Sequence, residues 1–434
     1  MAIDGMKISD SLVLRSVRDE KDARGFTDLL GKQLNIIEGL TSNGLLRFHP
    51  LTSREEFQVV EDTSSGEVVS TSCLVPWNMS FCGVPLRCGM LEMFYTLPAY
   101  RNKGLVRIQI ERLHRIVAEK RYDLAMIWGI PFYYRQYGYS YAIDGMVSQS
   151  LPAWRIGDAP GGAQAQPRLR EAGLRDIPIL GEFYAKATSD LDVRLERSPE
   201  HWRYMIEKLK YPVFIVEEAD SGRHAGYIIR TENGRMAHVL ESGVVDHETG
   251  MAVLCLLKKE HDEILVNWPQ TGTLAKLSMS LGSVKVTNTQ WLFRPPDMRG
   301  FLLMLRPLFD RRLQASDCRA LDKDFILNLF RSGYRIEIRG GRIQDVQSVG
   351  FVDASMGAEG GDLNIHPDAF IRLLFGHCSV DEIYDCWPDL VLRAEARGLV
   401  NVLFPKMTSY LYTPYHYYGP ELDSLDEKFR AYYL

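Results

Sequence analysis

Apolar and polar residues alternate over 12–17, as in a strand with one buried face. The stretch 19–37 has apolar residues at helical spacing and predicts one helix or a pair of short ones. Residues 57–61 and 68–75 flank the polar turn 62–67, a hairpin pattern. A further strand pair over 78–89 turns at Gly83. The run 90–97 is almost unbroken in apolar residues, as expected of a strand covered on both faces. Over 104–119, Leu105, Val106, Ile108, Ile110, Leu113, Ile116 and Val117 form a broad stripe of helical period. A short strand at 124–128 and a short helix or turn at 132–137 follow.

At 156–167 the composition changes to IGDAPGGAQAQP, which predicts a linker or surface loop. The same order then restarts. A strand and a helix fall within 169–193, hairpin strands at 213–217 and 225–231, a strand at 237–243 and a helix over 249–261. Leu91-Glu92 and Leu240-Glu241 stand at equivalent places, a weak sign of internal duplication. Beyond residue 301 the pattern differs. It predicts a helix at 301–313, strands at 325–338 and 341–349 around Gly340-Gly341, and a strand at 363–365. A helix at 367–375 is entered through Pro367, and another starts after Ser379. The end of the chain holds Tyr410, Tyr412, Tyr415, Tyr417, Tyr418, Tyr432 and Tyr433, too aromatic for a loose tail. The expected class is α/β (α+β), in three units spanning 1–155, 156–300 and 301–434.

Composition adds exclusions more than assignments. The 434 residues suit about three domains at roughly 150 residues each, and 46% hydrophobic content lets each bury a core. Net charge is −5 and no basic block occurs, so nucleic acid is not an expected partner. The cysteines form no CxxC pair, so neither a disulfide framework nor a metal site is expected. The first residues lack a basic segment followed by an apolar run, and no apolar stretch is long enough to span a membrane. A cytoplasmic protein with no membrane partner is the expectation.

The chemistry concentrates at 90–106, MLEMFYTLPAYRNKGLV, a strand, a turn and the start of a helix. That arrangement collects free backbone N–H groups at a helix N-terminus, an anion site suited to a pyrophosphate. Gly104 permits close approach of a phosphate, and Arg101 and Lys103 add charge. Arg101, Asn102, Lys103, Gly104, Leu105 and Val106 together resemble the acyl-CoA pyrophosphate loop of GNAT acetyltransferases, Gln/Arg-x-x-Gly-x-Gly/Ala, with Val106 departing from its last position. Downstream, FYYRQYGY at 132–139 resembles the family's FY-x-x-x-GF/GY segment. The resemblance extends to most of the chain. A GNAT domain, a second copy lacking the motif, and a C-terminal unit with DLNI at 362–365, RLLFG at 372–376 and LFP at 403–405 resemble the enhanced-intracellular-survival type. Its C-terminal unit is similar to a sterol carrier protein.

What the resemblance implies is direct attack of an amine on the thioester of acetyl-CoA, with no metal and no covalent enzyme intermediate. Backbone N–H groups around Phe94, Tyr95 and Thr96 would hold the pantetheine arm. Tyr139 would protonate the leaving thiolate, and a packed aromatic is the other reading of this residue. The base is open among the C-terminal carboxylate of Leu434, Glu92 and water. His114 is expected to be a packing or surface residue, and His247 with Glu248 a solvated loop. Asp423, Asp426 and Glu427 read as a solvated turn or as an acidic pocket mouth. In the second copy, Asp246 and Glu248 would repel a phosphate. The acceptor would be a primary amine: an aminoglycoside, a polyamine or a lysine-type amine. Transfer of a longer acyl chain stays open, as does assembly into homo-oligomers. The alternative is a non-catalytic protein that senses acyl-CoA or binds an apolar ligand.

Overall fold

The computed structural model describes residues 5–145, 147–158, 167–267, 271–287, 289–353 and 360–425. Three mixed sheets organise them, of nine, seven and five strands. The first is built on a long hairpin, Glu67–Phe81 against Val84–Thr96. Cys82 and Gly83 turn it with φ of 48° and 82°. Such a pair of left-handed residues matches the twist of the flanking strands. The pair expected at 78–89 and the strand expected at 90–97 are therefore parts of one hairpin.

After Val84–Thr96 the chain turns through residues 97–104 into the helix Leu105–Glu119 and returns as the strand Leu124–Ile127. Leu105, Ile110, Leu113 and Val117 of that helix are buried, and most of this stripe lies against Leu74 and Leu91 of the sheet. The two strands pair in parallel from Cys88↔Leu124 to Met90↔Met126. Past Met90 they part, and the far edge of Leu124–Ile127 takes the antiparallel strand Gln290–Arg294. A cleft between diverging strands thus opens along the apolar run that starts at Met90.

Two strands cross the unit boundaries expected at 155 and 300. Ser148–Pro152, which precedes the linker-like sequence, pairs with Glu263–Asn267 in the second sheet. Gln290–Arg294 instead completes the first sheet, between Leu124–Ile127 and Ser140–Asp144. Composition predicts a linker at 156–167, of which residues 159–166 lie outside the described ones; sheet membership depends instead on which open edge each strand satisfies, and that is a long-range matter.

Smaller differences have local causes. The helical stretch after residue 19 is a pair, one of the two expectations, and its second helix runs on past residue 37: Glu20–Gln33 and Ile36–Phe48. Asn35 starts the second by accepting the Glu38 N–H in its side chain. The helix expected at 301–313 is also two, Met298–Met304 and Arg306–Gln314, because Pro307 lacks an N–H and begins a new helix. The single strand expected at 325–338 is a hairpin, Lys323–Asn328 and Gly333–Arg339, with Phe330 at φ 63° in its turn.

The first and third units share one hydrophobic core. Phe375 sits 5.2 Å from Phe81 and stacks on Phe293 at 4.5 Å. Over its described residues the tyrosine-rich segment docks as expected; Tyr432 and Tyr433 lie outside them. Tyr410, Tyr412, Tyr415 and Tyr417 are buried, Trp291 donates to the Leu411 carbonyl (3.2 Å), and Thr41 Oγ1 accepts the Tyr417 N–H (3.0 Å). Among the described residues, no helix is long and apolar enough to cross a membrane.

Candidate active site

The cleft begins with an irregularity in Val84–Thr96. Thr71 pairs with Tyr95 and Cys73 with Glu92, so the strand holds one extra residue at 93–94. Met93 adopts φ 59°, and the Thr71 hydroxyl donates to its carbonyl (3.0 Å). A bulge of this kind bends the strand and re-aims its backbone groups. It falls where Leu124–Ile127 has already diverged, leaving that edge of Phe94, Tyr95 and Thr96 without a paired strand. Ser70 steadies the strand end, its hydroxyl 2.9 Å from the Tyr95 carbonyl, 2.7 Å from Thr96 Oγ1 and 3.1 Å from Gln109 Oε1 on the following helix.

The turn that follows has the backbone expected of an anion cradle. Asn102 and Gly104 adopt φ of 61° and 75° on either side of Lys103, directly before the helix at Leu105. Alternation of this sort directs successive N–H groups into one concavity. A Cβ built on Gly104 would meet nothing within 4 Å, so the space in front of it is open. Arg101 donates to the Thr96 carbonyl (3.2 Å) and lies over the Tyr95 ring, joining the cradle to the bulged strand. Lys103 stands over the ring of Tyr100. Val106 is half-buried in the first helical turn.

Glu92 lies just before the bulge. Burial pushes its carboxyl up to about 8, against a smaller opposing effect of a hydrogen bond from Tyr415. Its Oε1 is buried without a hydrogen-bond partner. Glu38, near the start of helix Ile36–Phe48, adds a second negative charge to its surroundings. Two carboxylates in one place suit an ammonium ion, and the docked tyrosine segment reaches this point through Tyr415. Leu434, Asp426 and Glu427 lie outside the described residues. Asp423 is exposed in a short turn over Pro420–Ser424.

The aromatic segment at 132–139 separates two tyrosines that sequence alone confounds. Tyr139 is fully buried, with its hydroxyl 3.0 Å from His114 Nε2. Burial raises its pKa strongly, while burial and Arg294 push His114 down to about 4. His114 is thus joined to Tyr139, beyond the packing role expected of it. Tyr134 lies beside the bulged strand instead. Its ring lies 6.1 Å from Phe94 on the bulge, and its hydroxyl environment includes the charge of Glu92. It packs on the backbone of Gly129, where any Cβ would come within 2.1 Å of the ring. Counting back from Gly138, the tyrosine of the FY-x-x-x-G pattern falls on Tyr134, the signal that could have singled it out. Arg135 and Ser140 bracket this segment by bonding Asp368 at the start of helix Pro367–Leu374 (Arg135 Nε 3.1 Å, Ser140 Oγ 2.7 Å).

The second sheet repeats the layout with its chemistry removed. Met236–Val244 pairs in parallel with Glu263–Asn267 up to Val239↔Val266, and Glu241 lies two residues further on. Arg197 grips Glu241 with two bonds of 2.6 and 2.8 Å, and Tyr227 adds a third at 2.7 Å. Asp246 fills the start of helix His247–Leu257 by accepting the Thr249 N–H (2.8 Å). That carboxylate occupies the place a phosphate would take. His247 and Glu248 are exposed, but on the first turn of this helix and not in the loop expected of them.

Residues 20–142 match the family model described as acetyltransferase (GNAT) domain, so the chain carries that domain. No curated protein matches the sequence. Among solved structures, a probable N-acyltransferase from Enterococcus faecalis V583 is similar at a TM-score of 0.70 and 12% identity, over 94% of this chain and 100% of that one. A GCN5-related N-acetyltransferase from Anabaena variabilis ATCC 29413 is similar at 0.68 and 14%, also over 94% and 100%. Eis1 from Mycobacterium abscessus follows at 0.60 and 12%, over 92% and 97%. These likenesses establish a shared fold along nearly the whole chain.

Proposed function

We propose that this acetyltransferase moves the acetyl group of acetyl-CoA to a primary amine by direct attack, with Glu92 as base and Tyr134 as acid. The observation that carries the proposal is the convergence at one cleft of a bulged strand edge, a left-handed cradle and Glu92. The cradle at Arg101, Asn102, Lys103, Gly104, Leu105 and Val106 suits the pyrophosphate. The edge at Phe94–Thr96 suits the pantetheine arm and polarises the thioester carbonyl through backbone N–H groups.

An amine reaches the cleft as an ammonium and must lose a proton before it attacks. A carboxyl pushed up to about 8 is matched to that task near neutral pH, far better than a chain-terminal carboxylate at its ordinary low value. The charge of the ammonium itself favours the ionised carboxylate. Tyr134 keeps its proton at neutral pH, because burial raises its pKa, and gives it to the departing sulfur. This role passes to Tyr134 from Tyr139, whose hydroxyl is committed to His114.

The acceptor class is a small-molecule or peptide amine of the aminoglycoside, polyamine or lysine type, with Glu38 and Glu92 favouring a cation. The sterol-carrier-like character of the third unit belongs to the same proposal and rests on its sequence motifs. The test is release of free thiol from acetyl-CoA against a panel of amines. Turnover with an amine, abolished in Glu92→Gln, supports the proposal; tight acetyl-CoA binding without release across the panel supports the sensor alternative.

A further inference from the structure

The two oxygens of the Glu92 carboxyl are not equivalent. Two donors reach it, the hydroxyl of Tyr415 and the N–H of Met93 in the bulge. Oε1 has no partner among the described residues, so both donors fall on Oε2. The Met93 donor is the next residue along the same strand. Tyr415 arrives from the far end of the chain, buried in the core that the first and third units share. A phenol in such a place needs a partner for its hydroxyl, and here that partner is a carboxylate at the cleft.

Segment 409–418 forms no helix and only a single bridge, so its place depends on long-range bonds. Ser409 bridges to Val193, and the Tyr410 N–H donates to the Val193 carbonyl (3.1 Å). The Leu411 carbonyl accepts from Trp291 of the first sheet. Pro414 disfavours helical backbone at Thr413. Beyond Tyr415, the Tyr417 N–H donates to Thr41 of helix Ile36–Phe48, and the Tyr418 N–H to the Leu209 carbonyl (2.7 Å). Ties on both sides thus fix where the Tyr415 hydroxyl stands. The second copy is held differently, since Arg197 bonds both oxygens of Glu241. A guanidinium keeps its carboxylate ionised and leaves no oxygen open. A neutral phenol on one oxygen leaves a carboxyl that can still take and release a proton.

We propose that Tyr415 is a positioning residue for the transfer, holding Oε2 of Glu92 so that Oε1 is presented to the ammonium of the acceptor. The inference rests on Glu92 as the base. One proton moves from the ammonium nitrogen to Oε1, and Tyr415 keeps its own proton throughout. The groups that face Glu92 are Cys73 on the neighbouring strand, Glu38 on helix Ile36–Phe48, Tyr134 in the aromatic segment, the Met93 N–H and Tyr415. Burial, the largest influence, favours the protonated carboxyl, and so does Glu38; the two donors favour the ionised one. Loss of the Tyr415 hydroxyl leaves burial and Glu38 less opposed, so the carboxyl keeps its proton to higher pH.

The test is the pH profile of kcat for the full chain with Tyr415→Phe, which removes one oxygen and keeps the ring in the core. The rising limb, placed near pH 8 in the wild type, should move up by about one pH unit. The rate below the limb should fall about tenfold and recover as pH rises through its new position, with acetyl-CoA affinity unchanged. A merely structural role lowers the melting temperature and lowers the rate at every pH with the limb in place, and that result overturns the assignment. Infrared difference spectra of wild type against Glu92→Gln read the Glu92 carboxyl without turnover. The same comparison in the Tyr415→Phe background should show it titrating at higher pH, and an unmoved titration overturns the inference. If Glu92→Gln retains full turnover, the base assignment falls and the positioning role with it. If Glu92→Gln is inactive while Tyr415→Phe keeps the wild-type profile, the positioning role alone falls.

Discussion

Glu92 and Glu241 each lie two residues beyond the last parallel pair of their sheets, at Met90↔Met126 and Val239↔Val266. Arg197 closes Glu241 with two charge-assisted bonds, whereas Glu92 keeps one buried oxygen without a partner. The same strand position is a neutralised structural pair in one copy and a high-pKa carboxyl in the other. Environment, not residue type, separates them.

Glu92→Gln should lower kcat by about 10²–10⁴-fold, the usual range for a lost general base, with acetyl-CoA affinity unchanged. The wild-type rate should rise with pH toward about 8, and that limb should vanish in the variant. Removal of residues 426–434 is the companion experiment: full loss of turnover on truncation, with a mild effect of Glu92→Gln, would move the base to Leu434.

The same carboxyl predicts a stability trend. Its pKa is about 8 folded, against 4.5 as the ordinary value. The folded state therefore binds the proton more tightly, and the associated stability is full below about 4.5 and lost as pH rises through 8. Melting temperatures of Glu92→Gln and wild type, measured from pH 5 to 9, should diverge in favour of the variant as pH increases.

Tyr134→Phe should reduce kcat by about 10–10³-fold with a small change in stability, since its ring contacts with Phe94 and Gly129 survive. Tyr139→Phe should act the other way round. It strands His114 Nε2 in a half-buried place, at a cost of about 1–3 kcal/mol, with a smaller effect on kcat. Thermal denaturation beside steady-state kinetics separates the two.

How far these residues were legible depends on range. The turn at 101–104 was readable because a glycine with flanking cations between a strand and an amphipathic helix is a local signal, and its left-handed residues are where that signal put them. Tyr134 was not read because four tyrosines crowd one short segment, and which ring lies beside the bulge in another strand depends on tertiary packing. The docking of Tyr415 onto Glu92 could be foreseen only as a buried tail, not as a partner. The crossing of Ser148–Pro152 and Gln290–Arg294 between sheets left no local trace, since both are ordinary short strands.

Gly104→Ala should weaken acetyl-CoA binding by about tenfold or more while lowering the melting temperature little. The φ of 75° costs an alanine about 1 kcal/mol, and its methyl would enter the open space assigned to the pyrophosphate. Isothermal titration with acetyl-CoA measures the first effect and calorimetry the second.

Arg197→Leu should be among the most damaging single changes away from the cleft, at about 3–5 kcal/mol, because it leaves Glu241 buried without its cation. The double variant Arg197→Leu with Glu241→Gln should recover much of that loss in chemical denaturation. Failure to recover would mean that the stacking of Arg197 on Tyr184 and Trp202 carries the stability instead.

The crossed strands also decide what a protease could achieve. A cut between residues 158 and 167 severs the chain but frees neither half. The upstream piece still contributes Ser148–Pro152 to the downstream sheet, and the downstream piece still supplies Gln290–Arg294 to the upstream one. The two fragments would travel together through a sizing column and part only in denaturant, like two hands clasped with one finger exchanged. Any gene fragment ending at the linker, however domain-like it looks, would encode a sheet with a missing rung.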